Sequence, residues 1–154
     1  MSDRFNFDKV LRNLNRVKND LPQLLSKDTL RYFVDSFNRE EWDGKKWKEV
    51  QRRTPGTSAY KYPAKKGLQR RTAHILVGSG YGKRGGTLRR ALATSTQTAT
   101  FQKISFHVRD VNYAKYHNDG EGRMPMRRFM GQTRALTAMQ TSRITRTINK
   151  IWQA

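Results

Sequence analysis

Apolar residues recur at Phe7, Val10, Leu11, Leu14, Val17 and Leu21, the spacing that lines one face of an α-helix. This stripe predicts a first helix over residues 6–20. Pro22 removes a backbone donor and disfavours helical geometry at the residue before it, and Ser26 belongs to a type that favours caps over helix interiors. A break is therefore expected at 22–26. From a cap at Ser26 or Asp28 the pattern resumes through Leu30, Phe33, Val34 and Phe37, predicting a second helix over 27–39. Periodicity then vanishes from 38 to 72, where Pro55, Gly56, Pro63 and Gly67 interrupt the chain. A segment this long exceeds a routine connection and is expected to be a functional or partner-ordered loop. Trp42 and Trp47 are placed at its start as anchors against the core.

Residues 87–99 and 100–109 are rich in Thr, Ile, Phe and Val and favour strand. The second alternates, with Phe101, Lys103, Ser105, His107 and Arg109 on one face and Gln102, Ile104, Phe106 and Val108 on the other. The two read as an antiparallel pair with one buried side, and 75–77 as another short strand. A short helix is expected over 113–117. Leu136, Met139, Ile144, Ile148 and Ile151 predict a terminal helix over 132–153, with Trp152 at its end. The expected fold is α+β: N-terminal helices and a C-terminal helix packed on a small, mainly antiparallel sheet, with long basic loops. A length of 154 residues fits a single domain. Its parts are a helical section (6–39), a basic loop (40–72), sheet and loops (73–131) and the last helix.

Composition changes this picture in one respect. Only 35% of residues are apolar and mean hydropathy is −0.91, so extended arms or partner-covered surfaces are expected beside a modest core. No apolar run approaches the roughly 18 residues that span a bilayer, and the first ten residues lack a signal-peptide core, so no membrane partner is expected. The absence of cysteine excludes disulfides, a thiolate nucleophile and Cys-based zinc sites.

Formal net charge is +20, and its placement is more telling than its size. All but three of the twelve acids lie at or before Glu49. Residues 50–109 hold thirteen Lys or Arg and no acid, and residues 122–154 hold seven bases and no acid. Neither tract neutralises itself, and such surfaces attract polyanions or acidic proteins.

Candidate chemistry is sparse. The glycine-rich Gly78-Ser-Gly-Tyr-Gly-Lys-Arg-Gly-Gly could bring backbone amides to an anion, but Lys83 is followed by Arg84 and the run departs from G-x-x-x-x-G-K-[ST]. His117, Asp119 and Glu121 alternate as metal ligands could, yet they flank Gly120 and Gly122 and read better as a polar turn. His74 and His107 show no carboxylate partner, and no Ser/His/Asp spacing indicates an activated nucleophile. No enzyme, cofactor or metal is implied. Arg127 and Arg128 beside Phe129 combine an apolar anchor with guanidinium forks suited to a neighbour's carboxylate or phosphate, or to a salt bridge within the chain.

Three motifs occur in order. Phe37, Trp42, Gly44 and Trp47 precede a basic Thr-containing loop. Ile75, Leu76 and Gly80 lead to residues 88–92. Tyr113, Ala114, His117 and Gly120 are followed by Pro125, Arg128 and Phe129 and then the last helix. From Phe33 onward this order resembles the virion morphogenesis family of tailed phages, the Mu G-like tail completion and head–tail joining proteins. The chain departs from that pattern where residues 81–87 intervene between Gly80 and Leu88.

The resemblance implies a structural subunit of a virion neck or tail-completion ring, joining capsid and tail around the DNA channel and assembled in the host cytoplasm. It implies a hexameric or dodecameric ring, neighbours among neck, portal-adaptor or tail proteins, and nonspecific contact with packaged DNA. Candidate interface or lumen residues are Lys45, Lys46, Lys48, Arg52, Arg53, Lys61, Lys65, Lys66, Arg70 and Arg71 in the first basic tract. Lys83, Arg84, Arg89, Arg90, Arg127 and Arg128 complete the set. Trp42, Trp47, Tyr113 and Phe129 are the expected packing anchors. The alternative is a sequence-nonspecific nucleic-acid-binding protein using the same tracts, with Trp42, Trp47 and Tyr60 as stacking groups.

Overall fold

A single helix, α1 (Phe7–Arg39), replaces the two that a break at Pro22 predicts. The computed structural model describes residues 6–62, 71–76, 87–109 and 111–152. Helix α1 starts at an Asn6 cap whose Oδ1 accepts the Lys9 N–H at 2.9 Å. A proline inside a helix costs about 3 kcal/mol. Here Leu21 and Pro22 are both buried, and taking an aliphatic side chain out of water contributes about 1.5–3 kcal/mol, enough to offset much of that cost. The expected caps are committed elsewhere: Ser26 donates to Gln97 Oε1 at 2.6 Å and Asp28 pairs with Arg143.

The stretch after α1 carries more structure than a loop. Glu40 takes a left-handed φ of 52° and ends the helix. Strands β1 (Glu41–Trp42) and β2 (Lys45–Lys46) pair antiparallel, Glu41 with Lys46 and Trp42 with Lys45. Asp43 and Gly44, with φ of 51° and 76°, form the two-residue connection; positive φ at both positions is the type I′ hairpin signature, which Asp-Gly satisfies. A 3-10 turn (Gln51–Arg53) and α2 (Ser58–Lys61) follow, the latter capped by the Thr57 side chain accepting from the Tyr60 N–H.

The expected strand over 87–99 is corrected. Its first half is α3 (Thr87–Ala93), and only Thr96–Ala99 forms a strand, β3. Leu-Arg-Arg-Ala-Leu-Ala are strong helix formers, and Leu88 and Leu92, one turn apart, are both buried. The second strand shortens to β4 (Ile104–His107), which pairs with β3. Ile104, Phe106 and Val108 are half-buried while Phe101, Lys103, His107 and Arg109 are exposed, but Ser105 is half-buried and Gln102 exposed, so the expected alternation holds only in part. The strand expected at 75–77 is not formed at its described positions: Ile75 is buried in a turn and Leu76 has φ 61°. Helices α4 (Ala114–Asp119) and α5 (Arg134–Trp152) lie where the pattern put them. The fold is α+β, with two separate two-stranded sheets among the described residues in place of one larger one.

The chain divides into two compact units made of interleaved segments. One comprises residues 1–29, 97–105 and 132–154; the other comprises 30–96 and 106–131. In the first, Leu21, Leu136 and Ile151 are buried, and Gln140 Nε2 donates to Thr29 Oγ1 at 3.0 Å. Thr133 begins α5 there by accepting the Leu136 N–H at its hydroxyl. In the second, the core holds Phe33, Phe37, Trp47, Ile75, Leu88, Leu92, Val111 and Phe129.

Candidate partner interface

The second unit is organised by aromatic rings from distant parts of the chain. Phe37 lies 5.5 Å from Trp47 and 5.2 Å from Phe129, ring centre to ring centre, and Phe33 lies 5.8 Å from Trp42 and 5.3 Å from Phe106. Offset and edge-on pairs at such distances add about 0.5–1.5 kcal/mol each beyond burial. Trp47 Nε1 donates to the Arg128 carbonyl at 2.8 Å, giving the buried indole its one required partner. Three of the four expected anchors thus pack. Tyr113 is 42% exposed, its ring set edge-on to that of His117 at 5.9 Å.

Glu40 is a second organising point. Its carboxylate takes both terminal nitrogens of Arg53 at 2.7 and 2.8 Å, the Ile75 N–H at 2.8 Å, and His74 Nδ1 at 3.0 Å. The Arg53 hydrogen bonds are the main cause that holds its pKa at about 2, with burial opposing them and the Ile75 N–H assisting. Arg52 and Arg53 also donate to the Ala73 carbonyl. Sequence reasoning left His74 without a carboxylate partner; the partner is thirty-four positions away. Glu40 itself carried no sequence signal beyond its place at a helix end.

The segment after α4 is an elbow held by backbone bonds. Asn118 Oδ1 accepts the N–H groups of Phe129 and Met130, both at 3.0 Å, and the Arg127 N–H donates to the His117 carbonyl at 2.7 Å. Gly120 ends α4 at φ 73°, and a Cβ there would sit 2.7 Å from the Met126 Cβ, so only glycine fits. The possible metal ligands are spoken for otherwise: Glu121 pairs with Lys115 at 2.7 Å, and Asp119 accepts from Asn118. Among the described residues no three His, Asp or Glu side chains converge on one point. Burial, and then the charge of Arg127, pull the His117 pKa down, and its buried Nδ1 has no hydrogen-bond partner among the described residues.

The basic candidates fall into two sets. Arg53 is bound to Glu40, and Arg127, only 7% exposed, donates from Nε and Nη2 to the Lys48 carbonyl. Arg52, half-buried, donates to the Ala73 and His74 carbonyls. These three act within the fold, and neither Arg127 nor Arg128 makes an ion pair among the described residues. Lys45, Lys46, Lys48, Lys61, Arg71, Arg89, Arg90 and Arg128 are exposed. Of these, Lys46 reaches Glu41 at 3.1 Å, and the Arg71 guanidinium covers the Tyr60 ring at 4.1 Å. Lys65, Lys66, Arg70, Lys83 and Arg84 lie outside the described residues. The stacking groups of the nucleic-acid alternative are occupied, since Trp47 is buried, Trp42 packs on Tyr32 and Phe33, and Tyr60 lies under Arg71.

No family model matches the chain, and no curated protein or solved structure matches it.

Proposed function

We propose that this chain is a structural subunit of a tailed-phage neck or tail-completion ring, connecting capsid and tail around the DNA channel. One observation carries the reading. Two of the three ordered motifs that resemble the virion morphogenesis family, separated by some eighty positions, supply one cluster: Phe37 packs on both Trp47 and Phe129, and Trp47 is bonded to the Arg128 carbonyl. Ile75, Leu88 and Leu92 of the remaining motif are buried in the same unit. Six residues matched by order, Phe37, Trp47, Ile75, Leu88, Leu92 and Phe129, thus lie in the core of this unit, which supports the reading, although Tyr113 of the third motif is 42% exposed. The exposed bases supply the surface for neighbours and DNA.

The experiment is a mass measurement of the purified chain, alone and mixed with tail-less heads and head-less tails, alongside a DNA-binding salt titration. Joining to either particle with negligible DNA affinity at physiological salt supports the neck reading. Tight DNA binding by free protein, with a log–log salt slope of several units and no joining, favours the nucleic-acid-binding alternative instead.

A further inference from the structure

The apolar face of α1 is covered along part of its length and open along the rest. Within the first unit, Asp28 meets Arg143 through two hydrogen bonds and Thr29 meets Gln140, so α1 and α5 run antiparallel. At about 1.5 Å rise per residue in both helices, these contacts place Trp152, the last residue of α5, opposite about Lys18. Leu21 is 5% exposed, whereas Leu14 is 40%, Leu11 47% and Phe7 66% exposed on the same stripe. Val10, Asn13 and Val17 beside them are half-buried, so the open edge of residues 7–17 is the one carrying Phe7, Leu11 and Leu14, and a helix end of this length with so little packing is marginal in water.

We infer that residues 7–17 are a self-complementary docking strip for a second copy of this chain. Written as a heptad, Phe7 and Leu14 occupy a, Val10 and Val17 occupy d, Leu11 is e and Asn13 is g. Two such strips laid antiparallel match Phe7 with Val17 and Val10 with Leu14 in four layers, and place Leu11 against Leu11 and Asn13 against Asn13 about the two-fold axis. Charge selects the occupant. Asp8, Lys9, Arg12 and Arg16 all fall at b, c and f, away from the seam, which itself carries no charge. This is a strip on which a chain of net charge +20 can meet its like without opposing charge to charge.

Sedimentation equilibrium of the full chain, in salt that screens its charge, tests the pairing. Self-association is expected, weakened roughly 100-fold by Leu14→Asp and unaffected by Arg12→Asp on the far side of the helix. Because the chain lacks cysteine, Leu11→Cys gives a readout independent of stability: mild oxidation should yield a disulfide-linked dimer, and Arg12→Cys should not. A monomeric wild-type chain overturns the inference, as does an assembly that Leu14→Asp leaves intact, or equal cross-linking of the two cysteine variants. So does a wild-type monomer that binds phosphatidylserine-containing vesicles through Leu14. The outcome is separate from the neck reading, since particle joining is scored with heads and tails and pairing with the chain alone.

Discussion

The two units of this protein are held together in different ways. In the unit built on residues 30–96 and 106–131, side chains and backbone groups far apart in sequence close on one another at many points: Glu40 with Arg53 and Ile75, Trp47 with Arg128, Asn118 with Phe129. In the unit containing the first part of α1 and α5, the described ties between distant residues are fewer, Ser26 with Gln97, Asp28 with Arg143 and Thr29 with Gln140, and several large apolar side chains face solvent, among them Phe7, Leu11, Ile148 and Trp152. With only 35% apolar residues the chain cannot cover every surface from within. It concentrates aromatic rings in one unit and leaves apolar helix surface open in the other, where added partners lower the free energy most.

The largest expected effect lies in the aromatic cluster. Phe129 is 1% exposed and packs on Phe37, and truncating a buried Phe to Ala typically costs about 3–5 kcal/mol. Phe129→Ala should destabilise by that amount in denaturant titrations and erase near-UV dichroism from the Phe37–Trp47 environment. A loss below about 1 kcal/mol would mean that this cluster is not what holds the unit.

Glu40→Gln comes next and has a pH signature. The native pKa of about 2 lies below the ordinary 4.5, so the carboxylate contributes stability that is fully present above pH 4.5 and lost as pH falls toward 2. A shift of that size corresponds to roughly 3 kcal/mol, and the side chain is 18% exposed. Glu40→Gln should therefore cost about 2–3 kcal/mol at pH 7, with the gap to wild type narrowing between pH 4.5 and 2. A gap constant across that range would place the loss in packing and not in the charge.

What could be read from the sequence depended on how locally each feature is specified. The α1 and α5 patterns are periodic and both form helices, because helix formation is set largely by each segment's own side chains, whereas burial also needs a partner: Phe7, Leu11 and Leu14 of the α1 stripe stay exposed, and the β4 alternation holds only in part. The hairpin at 41–46 was missed although Asp43-Gly44 is a strong two-residue turn signal, since strands of two residues leave no alternation to detect. Pro22 misled because its local cost is offset by burial that no window of sequence displays. The α3 segment misled because its threonines outweighed the Leu88–Leu92 helical pair. At the candidate interface, basic residues could be counted but not sorted: Arg53 and Arg127 are taken inward by Glu40 and the Lys48 carbonyl, partners thirteen and seventy-nine positions away.

The smallest expected effect sharpens the contrast between units. Asp28 and Arg143 form a paired hydrogen bond much like that of Glu40 and Arg53, with distances of 2.6 and 3.0 Å. The difference is exposure, 38% for the Arg143 side chain against 20% for Arg53. Water and salt screen an open pair, so matching geometry should not give matching stability. Asp28→Asn is accordingly expected to lower the melting temperature less than Glu40→Gln, and the difference from wild type should close as salt is raised toward roughly 1 M, where the screening length falls to about 3 Å. The Glu40→Gln deficit should persist in the same salt, because its partners sit where counterions reach poorly. Equal salt sensitivity of the two variants would show that the units do not differ in the way their ion pairs suggest.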